Sequence, residues 1–559
     1  MSMYGKITVV YINRNQGEKM SNNIVRGAML LTGATFLSKF LGMIYVIPFN
    51  ALVGGTGGTL YNFAYTPYNI ILSISTIGVP LAVSKFVSKY NSLGDYETGR
   101  RMFKAGITLM LVTGFLAFLT LFFSAEWLAG FMITSENSEN ITVADLTLVI
   151  RMVSFALIII PATSIVRGFF QGHQSMGPTA VSQVVEQIIR IIFLLIAAFI
   201  VIVVLDGPIS TAVGFATFAA CIGGIASAIV LWGYWKKRKP GLDKQLAQQT
   251  YTSNIPRSEL FKELFSYAGP FIIVGLATSL YQLVDSFTFE RAMVASGNKD
   301  VWEISLSAIN LYGHKLVIIP GTIATGLSLA ILPVLTKSFT QNNRALLYQQ
   351  INQALQIVLV LVIPAVVGLS VLSYEAYGAL YGLYKIDITG SLLAWYAPVG
   401  LLFALFTVSS SLLQGINQQK FAAVSLSAGL LVKILLNIQL IHMFGARGAI
   451  YGTMLAVGIA VTLNIWRVKT AVQFPFKEVI KRTMLIGIFV IIMCITIWIV
   501  KAVFGTFLPY EDERWATILM LALGVGSGGI IYLFLAHKST LLERVLGKRF
   551  GILDRIFGK

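Results

Sequence analysis

R-G-F-F-Q-G-H-Q-S-M-G-P-T-A-V-S-Q-V-V-E-Q-I-I-R-I, from Arg167 to Ile191, joins two strongly apolar segments through a short polar turn and then carries Glu186 and Arg190 deep into the second of them. The chain echoes this stretch 243 residues later, from Ser410: S-S-L-L-Q-G-I-N-Q-Q-K-F-A-A-V-S-L-S-A-G-L-L-V-K-I. The Gln-Gly turn recurs as Gln171-Gly172 and Gln414-Gly415, and Ala-Val-Ser recurs at Ala180 to Ser182 and Ala423 to Ser425. Arg190 falls on Lys433, so a cation stands at the same depth in both copies. A charge inside an apolar helix is costly and marks a functional site by default. The same cost in two repeats predicts two halves facing one polar cavity.

Outward from this stretch, the 559 residues are 56% hydrophobic and only 12% charged, where a soluble chain carries about 25% charged residues. Apolar runs of about 18 residues or more recur from end to end, the signature of membrane-spanning helices. Alternating strands of the barrel type are absent. The net charge of +18 is explained by cytoplasmic loops rich in Lys and Arg rather than by nucleic acid. Cys221 and Cys494 sit inside apolar runs, and His173, His314, His442 and His537 show no ligand spacing, so neither a disulfide nor a metal site is predicted. No Walker motif is present. No cofactor is expected, and the energy source reduces to the membrane potential, an ion gradient or the substrate gradient.

The pattern predicts an all-α integral membrane protein with fourteen transmembrane helices, near 24–52, 60–89, 103–124, 147–170, 177–205, 209–235, 264–290, 304–337, 350–373, 389–415, 418–442, 447–468, 480–505 and 515–537. With the N-terminus in the cytoplasm, the inner segments collect 31 Lys and Arg. The outer ones collect only Arg291, Lys299, Lys385, Arg447, Lys501 and Arg514. That asymmetry puts both termini inside. The longest break in hydrophobicity, 236–263, separates an N-lobe (24–235) from a C-lobe (264–468), two parallel six-helix repeats. The last two helices (469–537) are an appendix, flanked by a basic tail (538–559). The N-terminal tail (1–23) lacks a signal peptide, and M-S-N-N-I-V-R-G from Met20 reads as an alternative natural start.

Five Lys and Arg remain once the 37 of the inner and outer segments are counted: Lys39, Arg151, Arg190, Lys315 and Lys433. Arg151 lies near the outer end of its helix and can snorkel. Each of the others, Lys315 beside His314, would cost about 2.5–3.5 kcal/mol facing lipid. Glu186 and Arg190, spaced i,i+4, are placed to neutralise each other. Asp285 is a partner for Lys39 or Lys315. The surplus of cations predicts an anion as guest, with phosphate or pyrophosphate suited to Arg and Lys donors. Pro and Gly within the helices, such as Pro161, Pro320-Gly321 and Pro364, are packing features first and bending points second.

T-F-L-S-K-F-L-G-M-I-Y-V-I-P-F (Thr35 to Phe49), L-Y-N-F-A-Y-T-P-Y-N (Leu60 to Asn69) and S-T-I-G-V-P-L-A-V-S-K-F-V-S-K-Y-N-S-L-G-D (Ser75 to Asp95), together with R-G-F-F-Q-G, carry a resemblance. The chain resembles the polysaccharide-biosynthesis branch of the multidrug/oligosaccharidyl-lipid/polysaccharide (MOP) exporter superfamily. Within that branch it is similar to the Gram-positive MurJ-type lipid II flippases and the stage V sporulation protein B group. The resemblance spans essentially the whole chain. It implies two six-helix lobes around a central cavity with alternating access, and a lipid-tail groove formed by helices 13 and 14. It also implies an undecaprenyl-pyrophosphoryl glycopeptide substrate in a bacterial plasma membrane. Where Gram-negative members carry S-R-x-L-G-x-x-R, Lys39 stands for the first arginine and Tyr45 occupies the second position, so their arginine pattern does not carry over.

The reading is therefore a flippase moving lipid II from the inner to the outer leaflet, not an enzyme. Lys39, Tyr45, Glu186, Arg190, Asp285, His314, Lys315 and Lys433 are its substrate-binding candidates. Arg167, Gln171 and Gln414 are its gating candidates. The expected partners are the lipid-linked oligosaccharide and the bilayer, with the chain acting as a monomer alongside cell-wall synthesis machinery. Rival readings are a flippase for teichoic-acid, capsule or spore-cortex precursors, a cation-coupled multidrug antiporter, and a membrane glycosyl- or phosphotransferase. The antiporter would want buried acids. The transferase would want a carboxylate cluster, and Glu126, Glu136, Glu139 and Asp145 offer only a solvated loop.

Overall fold

The computed structural model describes residues 30, 33–76, 79–133, 141–249, 256, 259 and 276–546. Among them every regular element is helical. Ten helices among the described residues are long and apolar enough to cross a membrane, or eleven when the bent pair α1 (Gly33–Ile44) and α2 (Val46–Thr76), 42° apart, counts as one span. The ten correspond to predicted helices 3–6 and 9–14. The count of fourteen is thus reached in part. The expected Met20 start and most of both tails lie outside the described residues, as do Glu136 and Glu139.

The chain divides into two compact units. The first contains residues 1–48, 67–126 and 144–275. Its helices are α1, the ends of α2, α3 (Val79–Ser92), α4 (Tyr96–Phe123), α6 (Val143–Ser154), α7 (Ala156–Gly172), α8 (Met176–Phe199) and α9 (Ile209–Ala247). α7 is central and packs on α3, α4, α8 and α9. Val83, Phe86, Val87, Met102, Phe103 and Phe169 form its buried core. A Cβ on Gly168 would lie 2.4 Å from the Pro80 carbonyl oxygen, and one on Gly172 would lie 2.8 Å from that of Ser84. The two glycines of the Arg167–Gly172 motif therefore let α7 and α3 touch backbone to backbone.

The second unit takes residues 49–66, 127–143 and 276–559. It contains α5 (Ala125–Met132) from Trp127 on, α10 (Ala277–Ala295), α11 (Trp302–Ser307), α12 (His314–Thr340), α13 (Arg344–Val371), α14 (Ser373–Tyr381), α15 (Ile386–Tyr396), α16 (Val399–Gly415), α17 (Gln419–Phe444), α18 (Ala446–Val472), α19 (Lys477–Phe504), α20 (Arg514–Lys538) and α21 (Leu541–Leu546). Residues 49–66 belong here because their polar groups find partners here. Thr56 Oγ1 donates to Glu303 Oε2 (2.7 Å) and Thr59 Oγ1 to the Glu303 carbonyl (2.6 Å). Asn62 Nδ2 donates to the Asn310 carbonyl (3.2 Å).

Several predicted boundaries are revised. α9 runs on to Ala247 through Pro240, so the basic linker begins as helix, held by an ion pair between Asp243 and Arg100 of α4. The predicted outer loop after residue 124 contains α5, and predicted helix 10 is two helices, α15 and α16, meeting at Pro398. A π-helical segment, Ala308–Gly313, joins α11 to α12. Such segments leave backbone groups off the regular ladder. Here the Asn310 carbonyl accepts from the Asn62 and Gln282 side chains.

Gly54 is the one non-helical residue inside α2, at φ 64° and ψ −163°. A Cβ there would meet nothing within 4 Å. The requirement for glycine is therefore conformational, since this region of backbone space is essentially closed to L side chains. Gly54→Ala is expected to cost about 1–3 kcal/mol, read as a lower melting temperature. An unchanged melting temperature would contradict it.

Candidate functional site

The internal echo is realised bond for bond. In the first copy α7 ends with Gln174 left-handed (φ 56°), and in the second α16 ends with Asn417 left-handed (φ 60°). Ser175 N donates to the Phe170 carbonyl (2.9 Å) as Gln418 N donates to that of Leu413 (2.7 Å). Gln174 N donates to Gln171 O (2.8 Å) as Asn417 N does to Gln414 O (3.1 Å). These are paired helix-ending bonds of the Schellman type. Each turn is also clamped by an arginine: Arg238 on the Ser175 hydroxyl, Arg467 on the Gln418 side-chain oxygen (2.8 and 3.1 Å). Gln171 and Gln414 thus serve the turns through their carbonyls.

Glu186 has a cation partner from another helix as well as Arg190 one turn along its own. It pairs with Arg167 (2.6 Å), a residue the sequence reading counted with the cytoplasmic cations. Arg167 also donates to Ser182 Oγ (2.9 Å) and Ser227 Oγ (2.7 Å), tying α7, α8 and α9 together. Glu186 and Arg190 share one helix face, but the guanidinium of α7 approaches the carboxylate from across the packing. In the second unit the aligned Ser410, with Ser425 and Asn464, makes an uncharged version of the same junction: Ser425 Oγ donates to Asn464 Oδ1 (2.6 Å) and Asn464 Nδ2 to Ser410 Oγ (3.2 Å).

Lys433 likewise departs from expectation. Its side chain is 0% exposed, and Nζ lies 2.7 Å from Oδ2 of Asp285, itself 3% exposed. Nζ also donates to Thr453 Oγ1 (2.6 Å), while Asn437 Nδ2 donates to Asp285 Oδ1 (3.1 Å) and Thr288 Oγ1 (2.8 Å). The ion-pair partner seen for Asp285 is thus Lys433 rather than the expected Lys39 or Lys315, and Lys433 is a buried strut joining α10, α17 and α18. Asn437 and Thr453 were missed by sequence reasoning. The one legible signal was Asn437, one turn beyond Lys433.

The other cationic candidates begin with α1 and α8. Thr35 Oγ1 lies 3.5 Å from Gln183 Oε1, and a Cβ on Gly42 would lie 3.2 Å from Gln187 Nε2. Lys39, exposed, falls between Thr35 and Gly42 on one stripe of α1, and Arg190 continues the Gln183–Gln187 stripe of α8. Lys39 and Arg190 therefore lie along the stripes of α1 and α8 that carry these two contacts, and the Arg190 Cβ also faces Gly223 of α9. In the second unit Lys315 is half-buried next to His314, whose Nδ1 meets the Tyr396 hydroxyl (2.8 Å). Tyr45 is buried at the α1–α2 break. Separately, α12, α13, α14, α19 and α20 enclose an apolar groove of ≈ 530 Å³, lined among others by Ile319, Pro364, Leu369, Ile497, Val525 and Leu533.

The model of the polysaccharide biosynthesis protein family matches residues 24–339. The lipid II flippase MurJ of Bacillus subtilis (strain 168) is 45% identical over 532 residues, 95% of this chain and 98% of its own. The chain belongs to the polysaccharide biosynthesis protein family. Stage V sporulation protein B of the same organism is 24% identical over 95% of this chain and 98% of its own. A solved structure of the lipid II flippase MurJ in an inward closed conformation superposes with a TM-score of 0.64 over 93% of this chain and 99% of that one, at 19% identity, a likeness of fold. As a member of this family the chain is a multi-pass membrane protein.

The first Schellman turn of this family member carries a titratable ring. His173 Nδ1 donates to the Phe169 carbonyl (3.0 Å). Burial lowers its pKa below 6.5, and the charges of Arg238 and Arg100 add to that lowering against the Phe169 bond. With the folded pKa below the unfolded one, the unfolded state binds more protons as pH falls. Stability is therefore level above about pH 6.5 and declines below it. His173→Gln is expected to flatten that acid limb of a melting-temperature profile. An unchanged limb would assign it to other groups.

Proposed function

We propose that the chain is a flippase for lipid II. The observation that carries this reading is the 45% identity, over nearly the full length of both chains, to the lipid II flippase MurJ of Bacillus subtilis. The transported molecule would be the undecaprenyl-pyrophosphate-linked peptidoglycan precursor, moved from the cytoplasmic to the outer leaflet by alternating access. The chain is thus read as a transporter and not an enzyme. Lys39 and Arg190 would engage the pyrophosphate, with Gln183 and Gln187 as neutral donors to sugar or phosphate oxygens. Lys315 is a further candidate contact. The ≈ 530 Å³ apolar groove suits a polyprenyl tail. Fourteen crossings with both termini in the cytoplasm is the topology that the charge asymmetry supports. The chain would sit in the plasma membrane, work as a monomer beside the cell-wall synthesis machinery, and draw on the membrane potential or an ion gradient without a cofactor.

The experiment is native mass spectrometry of the purified protein with lipid II, undecaprenyl phosphate and a neutral glycolipid. Selective binding of lipid II, lost on neutralising Lys39 and Arg190, supports the substrate and the site together. Equal binding of all three defeats the assignment. The 24% identity to stage V sporulation protein B favours a second reading, a related polyprenyl-linked precursor of spore formation. Rescue of a sporulation mutant without rescue of a flippase-depleted vegetative strain would select it.

A further inference from the structure

In the first unit α4, α7 and α9 enclose an apolar groove of ≈ 520 Å³, lined by Phe103, Ile107, Leu111, Ile159, Trp232 and Trp235 among others. Trp232 and Leu111 are exposed along it. The helix stripes that line the groove run into lysines at one end. Lys104 follows Phe103 and stands one turn before Ile107, while Lys236 and Lys239 stand one turn beyond Trp232 and Trp235. Lys236 Nζ lies 5.6 Å from the Trp232 ring centroid, which holds its charge beside the groove. The neighbouring cations are engaged elsewhere, Arg100 with Asp243 and Arg238 with Ser175. Asp243, the acid nearest in sequence to these lysines on α9, is thereby occupied. Lys104, Lys236 and Lys239 have no acidic partner among the described residues. An apolar slot closed by three such lysines beside two tryptophans has the chemistry of an anionic lipid at the membrane surface.

We propose that this groove binds an anionic phospholipid of the bilayer, one acyl chain lying against α4, α7 and α9 and the phosphate held by Lys104, Lys236 and Lys239. The site is separate from the groove at α12–α14, α19 and α20 and does not depend on the identity of the transported molecule.

The test uses the full chain in phosphatidylcholine nanodiscs carrying increasing fractions of dibrominated phosphatidylglycerol or dibrominated phosphatidylcholine. The difference in tryptophan quenching between the wild type and Trp232→Phe/Trp235→Phe isolates the groove. The groove component should be quenched at an about tenfold lower fraction of phosphatidylglycerol than of phosphatidylcholine. Lys104→Gln/Lys236→Gln/Lys239→Gln, all surface changes, should remove that preference. Ala162→Phe, which fills the groove and leaves the lysines in place, should remove the quenching itself. Equal quenching by the two lipids would mean ordinary surrounding lipid and overturn the proposal. So would a preference that survives the triple variant, or displacement of phosphatidylglycerol by undecaprenyl phosphate, which would make the groove a polyprenyl site.

Discussion

Lys433→Ala is expected to destabilise the chain by about 3–5 kcal/mol, because it leaves the Asp285 carboxylate buried without its counter-ion. Nothing in the surroundings softens the loss. Lys433 is 0% exposed and Asp285 3%, so water does not screen the survivor. Asn437 Nδ2 remains as a donor to Asp285 but carries no charge. Asp285→Ala should cost a similar amount by stranding the ammonium. The double variant Lys433→Ala/Asp285→Ala should recover much of either loss, since it buries no net charge. Thermal unfolding in detergent, followed by tryptophan fluorescence, reads all three. If the double variant loses as much as the two singles added together, Lys433 and Asp285 are not a coupled pair.

Lys39→Ala combined with Arg190→Ala should abolish rescue of a flippase-depleted strain while the protein stays at normal abundance in the membrane. Each charged donor to a phosphate oxygen contributes about 1.5–3 kcal/mol, roughly a tenfold to hundredfold loss of headgroup affinity apiece. Lys39→Arg keeps the charge and should retain function. The contrast with Lys433 discriminates between the two roles: one substitution is read in stability, the other in transport at unchanged stability. Full rescue by the double variant would remove Lys39 and Arg190 from the site.

Those two expectations rest on different kinds of information. That the chain is helical and crosses a membrane many times followed from the low charge content and the long apolar runs, because water and lipid sort residues by polarity before any packing is specified. The repeat at 167–191 and 410–434 foretold the paired turns down to the positions of Gln174 and Asn417, because a helix end is built from bonds within about six residues. Ionic partnership is different. Glu186 was legible as a buried acid, and Arg190 stood one turn away on the same helix, yet Arg167 of α7 pairs with it from across the packing. Asp285 lies 148 positions from Lys433. Local spacing names only the partners a helix can offer itself. Which side chain of another helix enters the same low-dielectric space depends on the packing of backbones, here on glycines such as Gly223, whose Cβ would lie 2.8 Å from the Glu186 carbonyl oxygen. The sequence by itself thus determined that charges are buried, at what depth and in what repeated frame. The tertiary structure alone decided that Glu186 and Asp285 are neutralised from other helices by Arg167 and Lys433, because Coulomb attraction in a desolvated interior acts over a few ångströms of space, not over positions along the chain.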